Sequence, residues 1–384
     1  MPISLLADLA DPRACPCLVV KVGSSLLVGG RGVRREWLAG LVAELAAARA
    51  RGQQIIVVSS GAIALGAARL GLDKGGRGSL ADAQAAAAVG QIALAGLWAE
   101  LLAGHDHTAA QILLTLEDLE DRRRYLNVAA TLARLRDAGA VPVINENDSV
   151  ATEEIRFGDN DRLAARVAQA AQASAVLLLS DVDGLYDRDP RQEGALLLSE
   201  VHGITPDIEA MASGASTSGL GSGGMSAKLQ AAAIAERAGI ALAIANGTMD
   251  APIARALGLS GEQAIGTLFL PRDTGRGKPA ARKAWLGGRL RLRGVLTVDL
   301  GAAAALGRGS SLLARGLIAV AGGFARGDAV AIHDAEGRTL AHGLCEYGAG
   351  ECTALIGLHS SEQAAVLGYA PRSAIVHRDQ LVLL

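Results

Sequence analysis

The chain is poor in aromatic residues, in cysteine and in net charge, and each shortage excludes something. Phe, Trp and Tyr make up 3% of its 384 residues, too little for a large aromatic platform that stacks nucleic-acid bases. A formal charge of −2 offers no global field for a polyanion. Four cysteines, Cys15, Cys17, Cys345 and Cys352, are too few to staple so long a chain. Cys15 and Cys17 have the look of half a metal site. The second pair lacks tight spacing and flanking histidines, so free thiols in a reducing cytoplasm are expected. No basic stretch precedes an apolar core at the N-terminus, so no secretory signal is expected. Apolar runs such as Ile92 to Ala99 are too short to span a bilayer, which predicts no membrane association.

What is present is hydrophobic and small. Half of the residues are hydrophobic and 48 are glycine, a composition suited to an alanine-packed α/β protein. The length exceeds what one core usually serves, so at least two domains are expected. Through the first two thirds, apolar runs (CLVVKVG, QIIVVSSG, AAQILLT, VPVIN, AVLLLSD, IALAIANG) alternate with helical stretches. The clearest helices run from about Arg34 to Arg51, from Ser79 to Leu102, around Asn127 to Ala138, and after Gly224. Continuous apolar strands separated by helices predict a mostly parallel sheet covered on both faces. Ligands of such sheets bind beyond the carboxyl ends of the strands. After AIGTLFLP the composition changes. Arg272 to Arg293 carries eight basic residues and one acidic and reads as a linker. Beyond it, short Val-rich runs between Gly turns predict a small β-barrel or sandwich. The expected layout is a first domain over 1–272, a basic linker over 273–288 and a second domain over 289–384.

Four strand ends carry small or polar turns leading towards a helix: Lys21 to Ser25, Ser59 to Ala62, Asn145 to Asp148, and Ser180-Asp181. Glycine lets backbone approach a ligand, and N–H groups at a helix start favour anions. Four such turns on one sheet edge predict a bound anion. The stretch VPVINENDSVATEEIRFGDNDRLAARVA adds two clusters, Asn145 to Asp148 and Asp159 to Asp161. One of Asp159, Asn160 and Asp161 suffices as a helix cap; three in a row, with a second cluster upstream, exceed that need. The sequence SGLGSGGMSAK reads equally as an anion-binding loop ending in Lys228 or as a flexible surface loop. A second lysine at a strand end, Lys21, set against Asp159 and Asp161, favours the former. Positive charge on a transferring group, with alignment by carboxylates and carboxamides, is what phosphoryl transfer demands. Two apparent motifs lack their context. Gly219 to Gly224 fits G-x-G-x-x-G but follows no strand. His377-Arg378-Asp379 imitates a protein-kinase loop, but the position five residues past the Asp is Leu384, where that loop needs Asn. There is no Walker A pattern.

In order, KVGSSLL, VVSSGAIALG, INENDSV, FGDNDRLAA, SDVDGLYDRDPR and GLGSGGMSAKLQAA resemble the motifs of the glutamate 5-kinase family. RGSSLLARGL, FARGDAV, EGRTLAHG and AVLGY with AIVHRD resemble its C-terminal PUA part. The resemblance covers all but about the first fifteen residues. It implies an amino-acid-kinase fold, a mostly parallel sheet sandwiched by helices, followed by a small β-rich PUA barrel. It also implies a cytoplasmic enzyme that phosphorylates the γ-carboxylate of L-glutamate with ATP and Mg²⁺, the first step of proline synthesis. By motif, Lys21, Lys228, Asp161 and Asp159 would be catalytic. Ser60, Gly61, Asn145, Asn147, Asp148 and Asn160 would bind glutamate. Lys21, Ser180, Asp181 and the loop Ser222, Gly223, Gly224, Met225, Ser226, Ala227 and Lys228 would bind ATP. No protein side chain is assigned to the metal. Ser180 and Ser222 stand where the family often has Thr and keep the hydroxyl, whereas Ala227 loses one. Ala151 to Phe157 resembles the loop through which family members sense proline. The family further implies a homo-oligomer, a tetramer or dimer. Two rivals stand beside this reading: a sibling kinase with another acceptor, and RNA binding through the PUA domain and the basic linker.

Overall fold

A computed structural model describes residues 2–29, 32–150, 159–213, 222–259, 261–272, 292–372 and 374–383. The chain divides into two compact units, Met1–Glu120 with Val128–Asp273, and Asp121–Asn127 with Thr274–Leu384.

The first unit is built on the apolar runs. Its strands are β1 (Cys17–Val22), the short pair β2 (Val28–Gly29) and β3 (Gly32–Val33), β4 (Gln54–Ser59), β5 (Ala109–Leu114) and β6 (Val141–Glu146). They continue with β7 (Ala175–Ser180), β8 (Glu200–His202), β9 (Ala241–Asn246) and β10 (Thr267–Leu270). Apart from β2 and β3 they form one eight-stranded sheet in the order β5-β6-β4-β1-β7-β9-β10-β8. Among the described residues its pairings are parallel except that of β9 with β10. The central strands β1 and β7 are buried along their whole length, as unbroken apolar runs require when both faces are covered.

The helices are α1 (Ser24–Leu27), α2 (Arg35–Ala50), α3 (Ala62–Leu70), α4 (Leu80–Ala103), α5 (Leu116–Glu120) and α6 (Arg122–Asp137), the last in this unit from Val128 onward. After them come α7 (Asp159–Ala170), α8 (Pro206–Ser213), α9 (Ser222–Arg237) and α10 (Pro252–Leu257). On one sheet face Leu18, Val20 and Val22 join the core formed with Leu38, Leu41, Leu45, Leu94 and Trp98 of α2 and α4. The alternate residues of β1 point to the other face, where α7 packs on the strand and α9 packs on α7. The first fifteen residues, which carried no assignment in the sequence, are anchored as well. Leu6 and Leu9 lie in the main core, and Gln53 Nε2 donates to the carbonyls of Leu9 and Cys15 at 2.7 and 2.8 Å.

Helices α3 and α4 approach until their backbones touch. A Cβ on Gly66 would lie 1.7 Å from the Ala86 carbonyl oxygen, and one on Gly90 would lie 1.8 Å from that of Ala62. The space between them is filled by Ile63, Ala67, Ala83, Ala86 and Ala87. Helix α4 is therefore longer than the run Ile92 to Ala99 suggested. Over 24 residues, with mean hydropathy 1.5 in its most apolar window, it is long and apolar enough to cross a membrane by length and composition. Here its stripe Ala83, Ala86, Ala87, Gly90, Leu94, Trp98 and Leu102 is buried in the unit, the spacing of a helix with one face in a core.

The second unit is a five-stranded sheet in the order β12-β11-β13-β14-β15, from β11 (Gly294–Val298), β12 (Leu317–Gly322), β13 (Ala329–His333), β14 (Thr339–Leu344) and β15 (Leu381–Leu383). Only β11 and β13 pair in parallel. Helices Leu300–Gly307, Ala349–Ala354 and Ser360–Leu367, which the Gly-turn pattern did not announce, help enclose a core around Leu296, Ile332, Tyr347 and Ile375. The thiols of Cys345 and Cys352 touch at 3.5 Å, and the four cysteines are buried and form no disulfide. The basic linker falls largely outside the described residues.

The α3–α4 contact yields a test. Gly90→Ala must force the helices apart and is expected to cost about 3 kcal/mol, the upper part of the overpacking range. Gly96→Ala, on the same helix with nothing within 4 Å of the new Cβ, should gain about 0.5–1 kcal/mol. Urea unfolding of both variants checks this, and equal effects would refute the contact.

Candidate active site

The carboxyl ends of β1, β4, β6 and β7 lie side by side, and a cavity of about 550 Å³ opens there, within the usual range of small-molecule sites. Lys21 is the penultimate residue of β1. Strand alternation turns it away from the face of Val20 and Val22, towards α7 and α9. Asp161 comes from the first turn of α7 and Lys228 from the second turn of α9. The three meet: Lys21 Nζ lies 2.5 Å from Asp161 Oδ1, and Lys228 Nζ lies 3.0 Å from Oδ2. Lys228 also donates to the Gly224 carbonyl at 3.4 Å. Asp161 is 0% exposed and each lysine 7%.

Two ammoniums thus share one carboxylate in a site nearly shut off from water. Burial pushes the Asp161 pKa up, but the attraction of Lys21 and then Lys228 outweighs it and holds the carboxyl below its ordinary value. Lys21 is shifted down, first by burial, with the repulsion of Lys228 adding to it against the pull of Asp161. The two directions are consistent. One carboxylate cannot compensate two buried cations, so the trio carries a surplus positive charge that an incoming anion would neutralise.

A second chain of hydrogen bonds forms the opposite wall. Asn160 Nδ2 donates to Ser60 Oγ at 2.9 Å and to Asn145 Oδ1 at 3.1 Å. Asn145 Nδ2 in turn donates to Gln91 Oε1 of α4 at 2.8 Å. Trp98 Nε1 donates to Ser59 Oγ at 2.8 Å, fixing the end of β4 from below. The Asn160 Oδ1 is buried and accepts no hydrogen bond from the described residues, an acceptor available to something in the cavity. Gly61, the cap of α3, has φ 114°, a backbone that glycine adopts without strain. On the remaining side Ser180 Oγ donates to Asp181 Oδ1 at 3.1 Å.

Of the residues singled out in the sequence, Lys21, Ser60, Gly61, Asn145, Asp148, Asn160, Asp161, Ser180, Asp181, Gly224, Met225 and Lys228 all line this cavity. Asn147, Ser226 and Ala227 do not. Asn147 serves its own turn, its Oδ1 accepting from Ser149 Oγ at 2.7 Å; Ser226 is exposed on the outer side of α9 and Ala227 is buried. Asp159 opens α7, and Ser222 and Gly223 open α9, but the side chains of Asp159 and Ser222 lie outside the described residues. So does the whole stretch from Ala151 to Phe157.

Two expectations are corrected. Ser222 to Lys228 is not a loop that precedes a helix: α9 begins at Ser222, and Lys228 sits inside it. The two glycines lower helix propensity only in the first turn, and the alanine-rich run behind them propagates the helix back over them. Ser180-Asp181 does not lead to a helix either. The chain continues through an isolated bridge between Tyr186 and Leu197 to β8, and Asp183, bonded to Asn246 and Tyr186, ties the turn to the end of β9. The sequence reading overlooked Arg77, Tyr186, Arg188, Arg191 and Met211, which also line the cavity. SDVDGLYDRDPR contained three of them. Arg188 and Arg191 pair with Asp187 and Asp189, a signal only geometry separates from solvated charge. Among the described residues no group of three His, Cys, Asp or Glu is placed to hold a metal ion.

An α/β unit with two buried lysines, one at a strand end and one on a helix, meeting at the carboxyl edge of its sheet fits a phosphoryl-transfer enzyme, and the comparisons agree. A model of the amino acid kinase family matches residues 16–246, and one of the PUA domain matches residues 294–367. The chain is 70% identical to the glutamate 5-kinase of Novosphingobium aromaticivorans, over 100% of both chains. It is 59% identical to that of Sphingopyxis alaskensis, covering 98% of this chain and 100% of the relative, and 53% identical to that of Zymomonas mobilis, covering 97% and 92%. The chain belongs to the amino acid kinase family, in its glutamate 5-kinase branch.

The shared carboxylate can be tested by Asp161→Asn. Removing it leaves two buried ammoniums facing each other, and a loss of about 3–5 kcal/mol is expected, as for breaking a buried pair. The native pKa of Asp161 lies below its unfolded value near 3.8, so its stabilisation is complete above that pH and fades as pH falls through the native value. The gap between parent and variant should therefore close on acidification. Denaturant melts from pH 7 downward measure it, and a gap independent of pH would count against the ion pairs.

Proposed function

We propose that the protein transfers the γ-phosphoryl group of ATP to the γ-carboxylate of L-glutamate, forming γ-glutamyl phosphate and ADP, the first step of proline synthesis. The observation that carries this reading is the trio of Lys21, Asp161 and Lys228, with its surplus positive charge, facing a neutral carboxamide and hydroxyl wall. The acceptor carboxylate is ionised at neutral pH. Its oxygen attacks the γ-phosphorus, the bond to the ADP oxygen breaks, and no proton has to move. The obstacle is bringing two anions together. Lys21 and Lys228 lower that barrier, and Asp161 holds both in line at the cost of only one negative charge.

Residues about the trio divide into two roles. Ser60, Gly61, Asn145, Asp148 and Asn160 take the glutamate, Asp148 facing its ammonium. Ser180, Asp181, Gly224 and Met225, on the α9 side, take the nucleotide. Asp159, Ser222 and Gly223 belong to these groups by motif. Mg²⁺ accompanies the nucleotide phosphates and supplies charge neutralisation there; the described side chains form no cage of their own for it, and no role given above depends on one.

The reading extends to a cytoplasmic homo-oligomer. Its support is the open face of α4, where Ala81, Ala85, Ala88, Ile92, Gly96 and Ala99 are all exposed, an apolar stripe that self-association would cover. Proline acting as feedback inhibitor through 151–157 and RNA binding by the PUA domain rest on resemblance alone.

With hydroxylamine as trap, L-glutamate should give hydroxamate while N-acetylglutamate and L-aspartate stay at the acceptor-free blank. Lys228→Ala should lower kcat at least about 100-fold, the usual effect of deleting one group that stabilises transition-state charge. A folded, ATP-binding protein that gives no hydroxamate from glutamate would end the proposal. Proline, added at subsaturating glutamate, is expected to reduce the rate, and an unchanged rate removes the feedback role.

A further inference from the structure

The cavity wall holds a cation that the proposed reaction has not used. Five cations line the cavity among the described residues: Lys21, Arg77, Arg188, Arg191 and Lys228. The two lysines are committed to Asp161. Arg188 and Arg191, on the nucleotide side, are paired with Asp187 and Asp189. Arg77 lines the same cavity together with Ile63, Asn145 and Asp148, and its charge interacts with that of Asp148.

The backbone that presents it is firmly seated. Arg77 follows the bend Asp73–Gly76 that leaves α3. Gly76 is pressed against the helix pair: a Cβ there would lie 2.8 Å from the Cβ of Ala67 and 3.1 Å from that of Ala86. The Arg77 N–H donates to the Lys74 carbonyl at 3.3 Å. Since α3 and α4 touch through their backbones, Arg77 is carried by the same rigid body that carries Ser60, Gly61 and Gln91. The residue is exposed overall; partial burial shifts its pKa down while Asp148 pulls it back up. The guanidinium and the Asp148 carboxylate therefore sense each other at the acceptor end.

Glutamate is more than a γ-carboxylate. It also carries an ammonium and a second carboxylate on its α-carbon, a zwitterionic head. A site that places one carboxylate beside one guanidinium is the complement of such a head. Arginine is the residue whose planar fork matches a carboxylate with two parallel hydrogen bonds. We propose that Arg77 is a specificity determinant of the acceptor site: it binds the α-carboxylate while Asp148 binds the α-ammonium, so that the γ-carboxylate is the one presented to Lys21 and Lys228. The acceptor class is thereby a free α-amino acid with both head charges intact. This inference rests on the glutamate-kinase reading and refines it.

The test uses the full-length enzyme, the hydroxamate trap, and two acceptors: L-glutamate and its α-amide, which keeps the ammonium and the γ-carboxylate but has no α-carboxylate. The parent enzyme should prefer L-glutamate by about 10- to 100-fold in kcat/KM, the effect of one hydrogen-bonded charge. Arg77→Ala should raise the KM for glutamate by a similar factor, leave kcat and the KM for ATP nearly unchanged, and cut the preference over the α-amide to a few-fold. Arg77→Lys, which keeps the charge and loses the fork, should restore part of it. An Arg77→Ala enzyme that melts like the parent and still discriminates fully against the α-amide would overturn the assignment, showing that Arg77 acts only through Asp148. If the parent itself gives no hydroxamate from glutamate, it is the kinase reading that fails, and the two failures are thereby told apart.

Discussion

Everything at the cavity depends on one buried carboxylate that two lysines share. Asp161 is fully buried, and a buried charge without a partner is among the most costly features a fold can carry. Lys21 and Lys228 are the partners, and they come from positions 140 residues upstream and 67 residues downstream of it. For them to meet, β1 must present its alternate face to α7, and α9 must pack along α7. The eight-stranded order, with β1 at its centre, satisfies both conditions. Because the compensation is incomplete, the same contact that stabilises the unit leaves it attracting anions. Stability and reactivity here are two aspects of a single imbalance of charge.

The opposite wall obeys a different constraint. Where the lysine side is fixed by charge, the acceptor side is fixed by contact between backbones. The glycines at 66 and 90 let α3 and α4 lie together closely enough that neither can shift alone. The bonds from Trp98 to Ser59 and from Gln91 to Asn145 transmit that rigidity to the ends of β4 and β6. Asn160 joins the two walls. It stands next to Asp161 on α7 yet donates to Ser60 and Asn145 across the cavity. A displacement of α7 that disturbed the ion pairs would therefore also disturb the acceptor site, so the alignment of donor and acceptor is enforced by one residue pair.

Much of this was legible in the sequence because burial on both faces leaves a plain mark. Each central strand reads as an unbroken apolar run, and the first polar residue after it marks the edge where ligands bind. Lys21, Asn145 and Ser180, and Ser60 one residue past Ser59, stand at such ends and line the cavity. The misreadings also have physical causes. Gly223 and Gly224 suggested a loop, but helix propensity is a sum over a segment, and the alanines that follow outweigh two poor residues in a first turn. The turn after Ser180 looked like the other three because a side-chain list says nothing of where the chain goes next. Asn147, Ser226 and Ala227 do not line the cavity although their neighbours do, because alternate positions of a turn or helix face different ways. Arg77 lay in DKGGRGS, a stretch with the composition of any surface bend, and only the packing of Gly76 reveals that the bend is fixed. The shared carboxylate was half legible: a lysine–aspartate relation was expected, but one Asp serving both lysines is a fact of three dimensions.

The scarcity of aromatic residues finds its explanation in the same geometry. A cavity that must bring together a triphosphate and a dicarboxylic amino acid gains little from stacking surfaces. It gains from donors and charges placed to within a fraction of an ångström, which requires rigid supports. Alanine and glycine provide these by letting helices approach until backbone meets backbone, as at α3 and α4, with no large side chain whose rotamers could loosen the contact. The result is a helix, α4, whose outer face also carries an exposed apolar stripe. In a monomer that stripe is an unprotected surface, and an assembly of identical copies would cover it. The requirement for a rigid acceptor wall thus leads, through composition alone, to an expectation about quaternary structure.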